Sequence, residues 1–362
     1  MAKIYKDAGN YKKSKKIHLQ TISFIKNMLG DNSSLIISSM NELAVLYEIM
    51  GDSWNAEKTF KKAIEIYNIQ SIKDYDIHAS LLSGLALNYQ NSGKYDEAES
   101  LFKEVLTIYK TELGEFHKFY AISLNNLATL YKAVGRYLEA ESLFIQSIEI
   151  FDKLSIKDFI YANTLNNLAI LYSSLNRFIE SEKLYKKALG VFQSWQNGMN
   201  IHYATSIHNL ALLKKRLGEL EKAKELFLIS INIYKKKLGY NHPYHAKSIS
   251  GLALVLQNIG ELEKAEELHK QSLSIYENQI GENNPDYVFI LKNLSSLYFN
   301  IGDYDKAESL FYKFQVIHFN QFNTIFNSFS EKEKGQFFNT LSGSFEIFHS
   351  FANVRRKKNP VI

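Results

Sequence analysis

Asn125 to Phe144 reads NNLATLYKAVGRYLEAESLF, and its pattern returns along the chain at a fixed interval. The second half stands as GKYDEAESLF from Gly93, GRYLEAESLF from Gly135 and GDYDKAESLF from Gly302. Aligned on that glycine, the anchors are Gly9, Gly51, Gly93, Gly135, Asn176, Gly218, Gly260 and Gly302, 42 residues apart except for one step of 41. Five residues after each anchor the side chain is small: Ser14, Ala56, Ala98, Ala140, Ser181, Ala223, Ala265 and Ala307. Eight residues before it, from the second anchor onward, stands a leucine, as at Leu43, Leu127 and Leu294. Such a register marks a repeat architecture and overrides the two-domain expectation that 362 residues would raise.

Each unit reads as two helices. Leu124, Leu127, Ala128 and Tyr131 are three or four residues apart, which makes one apolar stripe. Gly135 then ends the helix in the left-handed conformation, and Asn176 is the next-best residue for that task. The second helix is expected to bury Ala140, Leu143, Phe144, Ile148 and Phe151, with Tyr137, Tyr95, Phe178 and Tyr304 wedged between the pair. Linkers such as LGYNHP (Leu238 to Pro243) and IGENNP (Ile280 to Pro285) stop the second helix at glycine and start the next at Asn or Pro. Two helices cannot cover both of their apolar faces alone, so stability comes from stacking on neighbouring units.

The pattern NNLA-x-LY…G-x-Y-x-x-AE-x-L-[FY], followed by a linker such as LG-x-[NH]-[HN]P, resembles the 42-residue tetratricopeptide repeats (TPR) of kinesin light chain. The resemblance covers residues 1–312 and implies an all-α fold. The expected architecture is an α–α superhelix (TPR solenoid) of about seven complete helix pairs after a partial first repeat, residues 1–30. It also implies a protein or peptide ligand in the concave groove. Residues 313–362 read as a C-terminal helical extension with a basic tail. There Ser330 and Glu333 form a capping box, and Phe337, Phe338, Leu341, Phe345, Phe348 and Phe351 give an amphipathic face. This segment resembles the one that joins repeats to a caspase-like peptidase in bacterial TPR–CHAT proteins. Tyr5 and Gly9 match Tyr131 and Gly135, so Met1 falls midway through a first helix. Both ends read as cut from a longer repeat-plus-effector protein.

Composition excludes several functions. Without cysteine there is no disulfide, thiolate metal site or cysteine nucleophile, a pattern that fits a reducing cytoplasm. The His–Cys pair of the peptidase chemistry is therefore missing. A net charge of +5 spread over the chain makes nucleic acid an unlikely partner, and the run Arg355–Lys358 reads as a solvated tail. No stretch is apolar enough to span a membrane. No phosphate-cradling loop, HExxH or GxSxG occurs, so neither catalytic residues nor cofactor nor small-molecule substrate is expected. His242 and His245 form an HxxH that reads as a helix start, and no metal site is expected there.

The groove follows from helical phase. At about 100° per residue, Asn125, Thr129 and Lys132 lie together, opposite Leu127 and Tyr131, and so face the concave side. Their counterparts include Asn41, Asn166, His208 and Lys292 for Asn125, and Glu48, Gln90, Lys215 and Gln257 for Lys132. Val45, Leu87, Ile170, Leu212 and Leu254 form an aliphatic floor. Asn126, Asn167, Asn209 and Asn293 turn towards the neighbouring unit and are expected to bond across to it. Because His208, Lys215, Arg216, Lys247 and Lys292 gather in the later units, that half is expected to prefer acidic peptides. The leading expectation is an interaction scaffold or adaptor, and the alternative is the sensing arm of a TPR–CHAT-type protease system. Response-regulator phosphatases and peptide-pheromone receptors also use helical repeats, but behind an N-terminal helical bundle for which this sequence leaves no room.

Overall fold

The anchors and linkers divide the chain into helix pairs in the computed structural model, which describes residues 1–70, 74–194, 200–282 and 284–326. The first four pairs are α1 (Ala2–Asp7) with α2 (Tyr11–Leu29), α3 (Ser34–Ile49) with α4 (Ser53–Asn68), α5 (Tyr75–Asn91) with α6 (Tyr95–Leu113), and α7 (Lys118–Ala133) with α8 (Tyr137–Lys153). The next four are α9 (Phe159–Ser174) with α10 (Phe178–Ser194), α11 (Ile201–Arg216) with α12 (Leu220–Leu238), α13 (Pro243–Ile259) with α14 (Leu262–Gln279), and α15 (Pro285–Ile301) with α16 (Tyr304–Phe326). Helix α16 runs through residue 312 without a break, because no Gly or Pro interrupts it, so residues 313–326 continue the last repeat. The amphipathic segment from Ser330 and the basic tail lie outside the described residues.

The turn within a pair is made as the sequence predicts: Gly135 sits at φ 81° and Asn176 at φ 60°. Each odd-numbered helix is started by a polar cap where the linker supplies one. Asp158 Oδ1 accepts from the amides of Ile160 and Tyr161 at 2.9 and 3.1 Å, and the ring of His242 accepts from Tyr244 ahead of α13. Ala140, Phe144 and Phe151 are fully buried, while Leu143 and Ile148 are half-buried against the same core. Ser147 is fully buried as well, its hydroxyl donating to Ala121 O at 2.7 Å. Helices pack on their sequence neighbours, and odd helices also touch each other, α3 with α5, α7 with α9, α9 with α11, α11 with α13 and α13 with α15, which makes the odd helices the inner layer. Tyr137 departs from its expected wedge role: it is 40 % exposed.

One set of contacts between units is unannounced by the hydrophobic pattern. The Glu that follows the small residue reaches the next unit. Glu99 accepts from Tyr131 Oη at 2.9 Å and from Arg136 Nη1 at 2.8 Å, and Glu141 from Tyr172 Oη and Arg177 Nη1, both at 2.8 Å. Glu57 pairs with Lys94 in the same way. Where the next unit offers an acid, Glu219, the tyrosine is replaced by Lys214, which bonds Glu182 and Glu219 together at 2.9 Å each. One junction further on the signs reverse, and Lys224 pairs with Glu261 at 3.0 Å. We expect Lys224→Glu to lower the urea midpoint and Lys224→Glu/Glu261→Lys to restore it. Equal midpoints for parent and single variant would remove this pair from the account.

Candidate functional site

The inner layer carries the residues that phase assigned to the groove, and the structure divides them in two. Several tie units together. Asn41 Nδ2 donates to Ser80 Oγ at 3.0 Å, Asn166 Nδ2 to Ser206 Oγ at 2.6 Å, and His208 Nδ1 shares a 2.9 Å bond with Ser248 Oγ. Asn125 Oδ1 accepts from Asn167 Nδ2 at 2.9 Å, the cross-unit bond expected of that asparagine. Thr129 Oγ1 donates to Asn125 O in its own helix. Arg216 donates to Ser173 O, Ser173 Oγ and Asn176 Oδ1, and Lys247 is held by Asp286 at 2.9 Å. His208 is not one of the cations expected in the later half: burial brings it down to about 3, so the ring is neutral. Helical phase within one unit could not show that a residue of the next unit lies close enough to bond them.

A second row runs one rung per unit, Glu48, Gln90, Lys132, Ser173, Lys215, Gln257 and Phe299, on successive odd helices from α3 to α15, with Ser173 already bonded by Arg216 and Phe299 against Tyr304. Glu48 Oε1, Gln90 Oε1 and Gln257 Oε1 are buried acceptors without a hydrogen bond. Lys132 and Lys215 make no ion pair among the described residues, and burial lowers both ammonium groups from their ordinary value. Burial likewise pushes the Glu48 carboxyl up to about 8. A buried polar group left unmatched is costly, so these acceptors and solitary lysines stand out on this row. Beside them Val45, Ile170, Leu212 and Leu254 are half-buried and Leu87 is 36 % exposed, which leaves apolar area for side chains.

Glu48 carries a pH signature. With the folded-state value at about 8 against 4.5, the folded chain holds a proton that the unfolded chain has released. Stability is therefore lost as pH rises between those values. Glu48→Gln should melt like the parent below pH 4.5 and at a higher temperature above pH 8; parallel melting curves across that range would refute the assignment.

The HxxH histidines are occupied locally. His242 Nδ1 accepts from Tyr244 N at 3.1 Å, and His245 Nδ1 bonds Tyr240 O at 2.9 Å. The described residues contain no group of three or more His, Cys, Asp or Glu able to hold a metal ion, and no helix long and apolar enough to cross a membrane.

Helix pairs stacked at a constant period define a helical-repeat solenoid. The tetratricopeptide repeat family profile matches residues 1–69, 77–153, 119–194, 160–236, 202–278 and 244–313. The chain belongs to that family. No curated protein matches the sequence. Among solved structures it is similar to aspartyl phosphate phosphatase F from Bacillus subtilis, with 17% identity, TM-score 0.58, and 81% of this chain and 73% of that one covered. It is also similar to a Rap protein complexed with Competence and Sporulation Factor, at 14% identity and TM-score 0.54, over 97% of both chains. Nearly identical TPR-like repeats of a kinesin light chain candidate from Podosopora anserina share 25% identity, at TM-score 0.47, over 57% of this chain and 98% of that one. The first two likenesses are of fold alone.

Proposed function

We propose that the array is a non-enzymatic interaction scaffold, cytoplasmic in setting, whose inner rungs hold an extended peptide or a peptide-like segment of a protein partner. The observation that carries this reading is the set of buried, unmatched acceptors at Glu48, Gln90 and Gln257 together with the solitary Lys132 and Lys215. Acceptors suit the backbone amides of an extended chain, and the half-buried aliphatic residues suit its side chains. Lys132, Lys215 and Lys292 would favour carboxylates, whereas Arg216 and Lys247 already have partners and contribute less. Asn41, Asn125, Asn166 and His208 shape the floor through their ties between units, with Thr129 beside them. The fold that the chain shares with a Rap protein complexed with Competence and Sporulation Factor fits this reading by analogy only. The protease-arm alternative rests on the segment from Ser330, outside the described residues, and nothing here favours it.

The test is selection from a random dodecapeptide display library on the purified array. Acid-bearing peptides are expected to emerge. Their affinity should fall at least tenfold on Lys132→Glu/Lys215→Glu and weaken with salt, about 1.4 kcal/mol or more at 25 °C. Peptides that bind the reversed variant equally well, or a library that yields none, would overturn the reading.

A further inference from the structure

Two contacts join parts of the chain that the repeat pattern keeps far apart. Asn284 Nδ2, at the start of α15, donates to Ile49 O, at the end of α3, at 3.3 Å and across 235 residues. A Cβ placed on Gly9, in the turn after α1, would stand 3.1 Å from His242 Cδ2 and 3.6 Å from Pro243 Cδ, at the start of α13. These are one contact made twice. Ile49 ends α3 two residues before Gly51, the counterpart of Gly9 in the next unit, and Asn284 is the helix cap one unit after His242. In both, the turn within an early pair meets the cap of an odd helix about five and a half units later.

Burial agrees. Tyr11 and Tyr137 occupy the same position of the repeat, two residues after the anchor. Tyr137 is 40 % exposed, whereas Tyr11, in the first full helix of the chain, is only 6 % exposed. The Tyr11 hydroxyl lies within electrostatic reach of Tyr244 and Tyr276, both in the later units. A contact repeated at nearly the same chain interval is what results when a superhelix completes a turn and the next turn seats upon it.

We infer that the array closes on itself, the turns at Gly9 and Ile49 latched to the caps of α13 and α15, so that the inner rungs line a channel with a continuous wall. The consequence for the partner rests on the peptide reading above. A closed wall admits a slender chain through an open end, and a segment flanked on both sides by folded domains enters only when the latch parts.

The absence of cysteine makes closure directly testable. Ile49→Cys/Asn284→Cys should cross-link within one molecule on oxidation or with a short bismaleimide, and Ala133→Cys/Asn284→Cys, two units out of register on the same rim, should not. Equal cross-linking of both pairs, or none of the first, would overturn closure. Because Asn284 is also a helix cap, a second comparison leaves it intact: Gly9→Asn against Gly135→Asn. Both put Asn at a similar positive φ, but Gly135 has nothing within 4 Å of an added Cβ. Only Gly9→Asn should enlarge the radius of gyration in small-angle scattering; equal radii would count against the latch. Finally, a dodecapeptide selected as above is offered to the cross-linked protein, free or fused between two small folded domains. The free peptide should retain its affinity and the flanked one lose at least tenfold relative to the uncross-linked protein. Equal binding of the flanked peptide would end the threading claim, while a library without binders would defeat the peptide reading and leave the ring standing.

Discussion

Phe144→Ala should destabilise the array by about 3–5 kcal/mol and split its unfolding into two steps. Phe144 is fully buried in α8, in the core shared by α3 to α9, and Ala140 one turn earlier brings the neighbouring backbone close. Removing the ring leaves a cavity that rigid helix pairs collapse into poorly. Because each unit leans only on its neighbours, a weak middle unit uncouples the two sides, and the urea transition should broaden or become biphasic. A single transition of unchanged slope, with a loss below about 1 kcal/mol, would mean that the site repacks and that cooperativity does not run through it.

The second large effect belongs to Glu99. Burial alone would raise its carboxyl, but Lys103, Tyr131 and Arg136 all donate to it and bring it down to about 2. Glu99→Ala would strand the Tyr131 hydroxyl, on a side chain only 6 % exposed, and free Arg136, at a cost of about 1–2 kcal/mol at neutral pH. The sign of the pH dependence follows from the depressed value. The contribution is fully present above 4.5 and is lost as pH falls towards 2, so parent and variant should converge in acid. Glu99→Gln, which keeps an acceptor for Tyr131, should recover part of the loss. A penalty that stays constant from pH 7 to pH 2.5 would show that packing, not the carboxylate, supports this junction.

The helix pairs, their turns and their inner layer were legible because each depends on local chemistry: a glycine or asparagine at positive φ, a small residue where backbones approach, a leucine facing inward. Within the candidate site, phase could not show which residues bond across units. Asn166 and His208 bond Ser206 and Ser248 some forty positions away, a distance set by how units stack and not by how one helix is written. The Glu99–Arg136 brace had a readable signal, a Glu after the small residue and a base after the next anchor, but one hidden beneath the stronger apolar pattern. The contact between Ile49 and Asn284 had none, since it arises only from the sum of small rotations over many units.

The sign reversal at α11–α12 bears on how such a gene can change. Tandem copies invite slippage during replication, which deletes or adds whole modules. Loss of α5–α6, α7–α8 or α9–α10 would leave an acid facing a base or a lysine-bridged acid at the new seam. Loss of α11–α12 would set Glu182 against Glu261 with Leu256 between them, and Lys214, which bridges two acids, would be gone. Of these four modules, α11–α12 is the one whose loss would leave two acids at the seam without a bridging lysine.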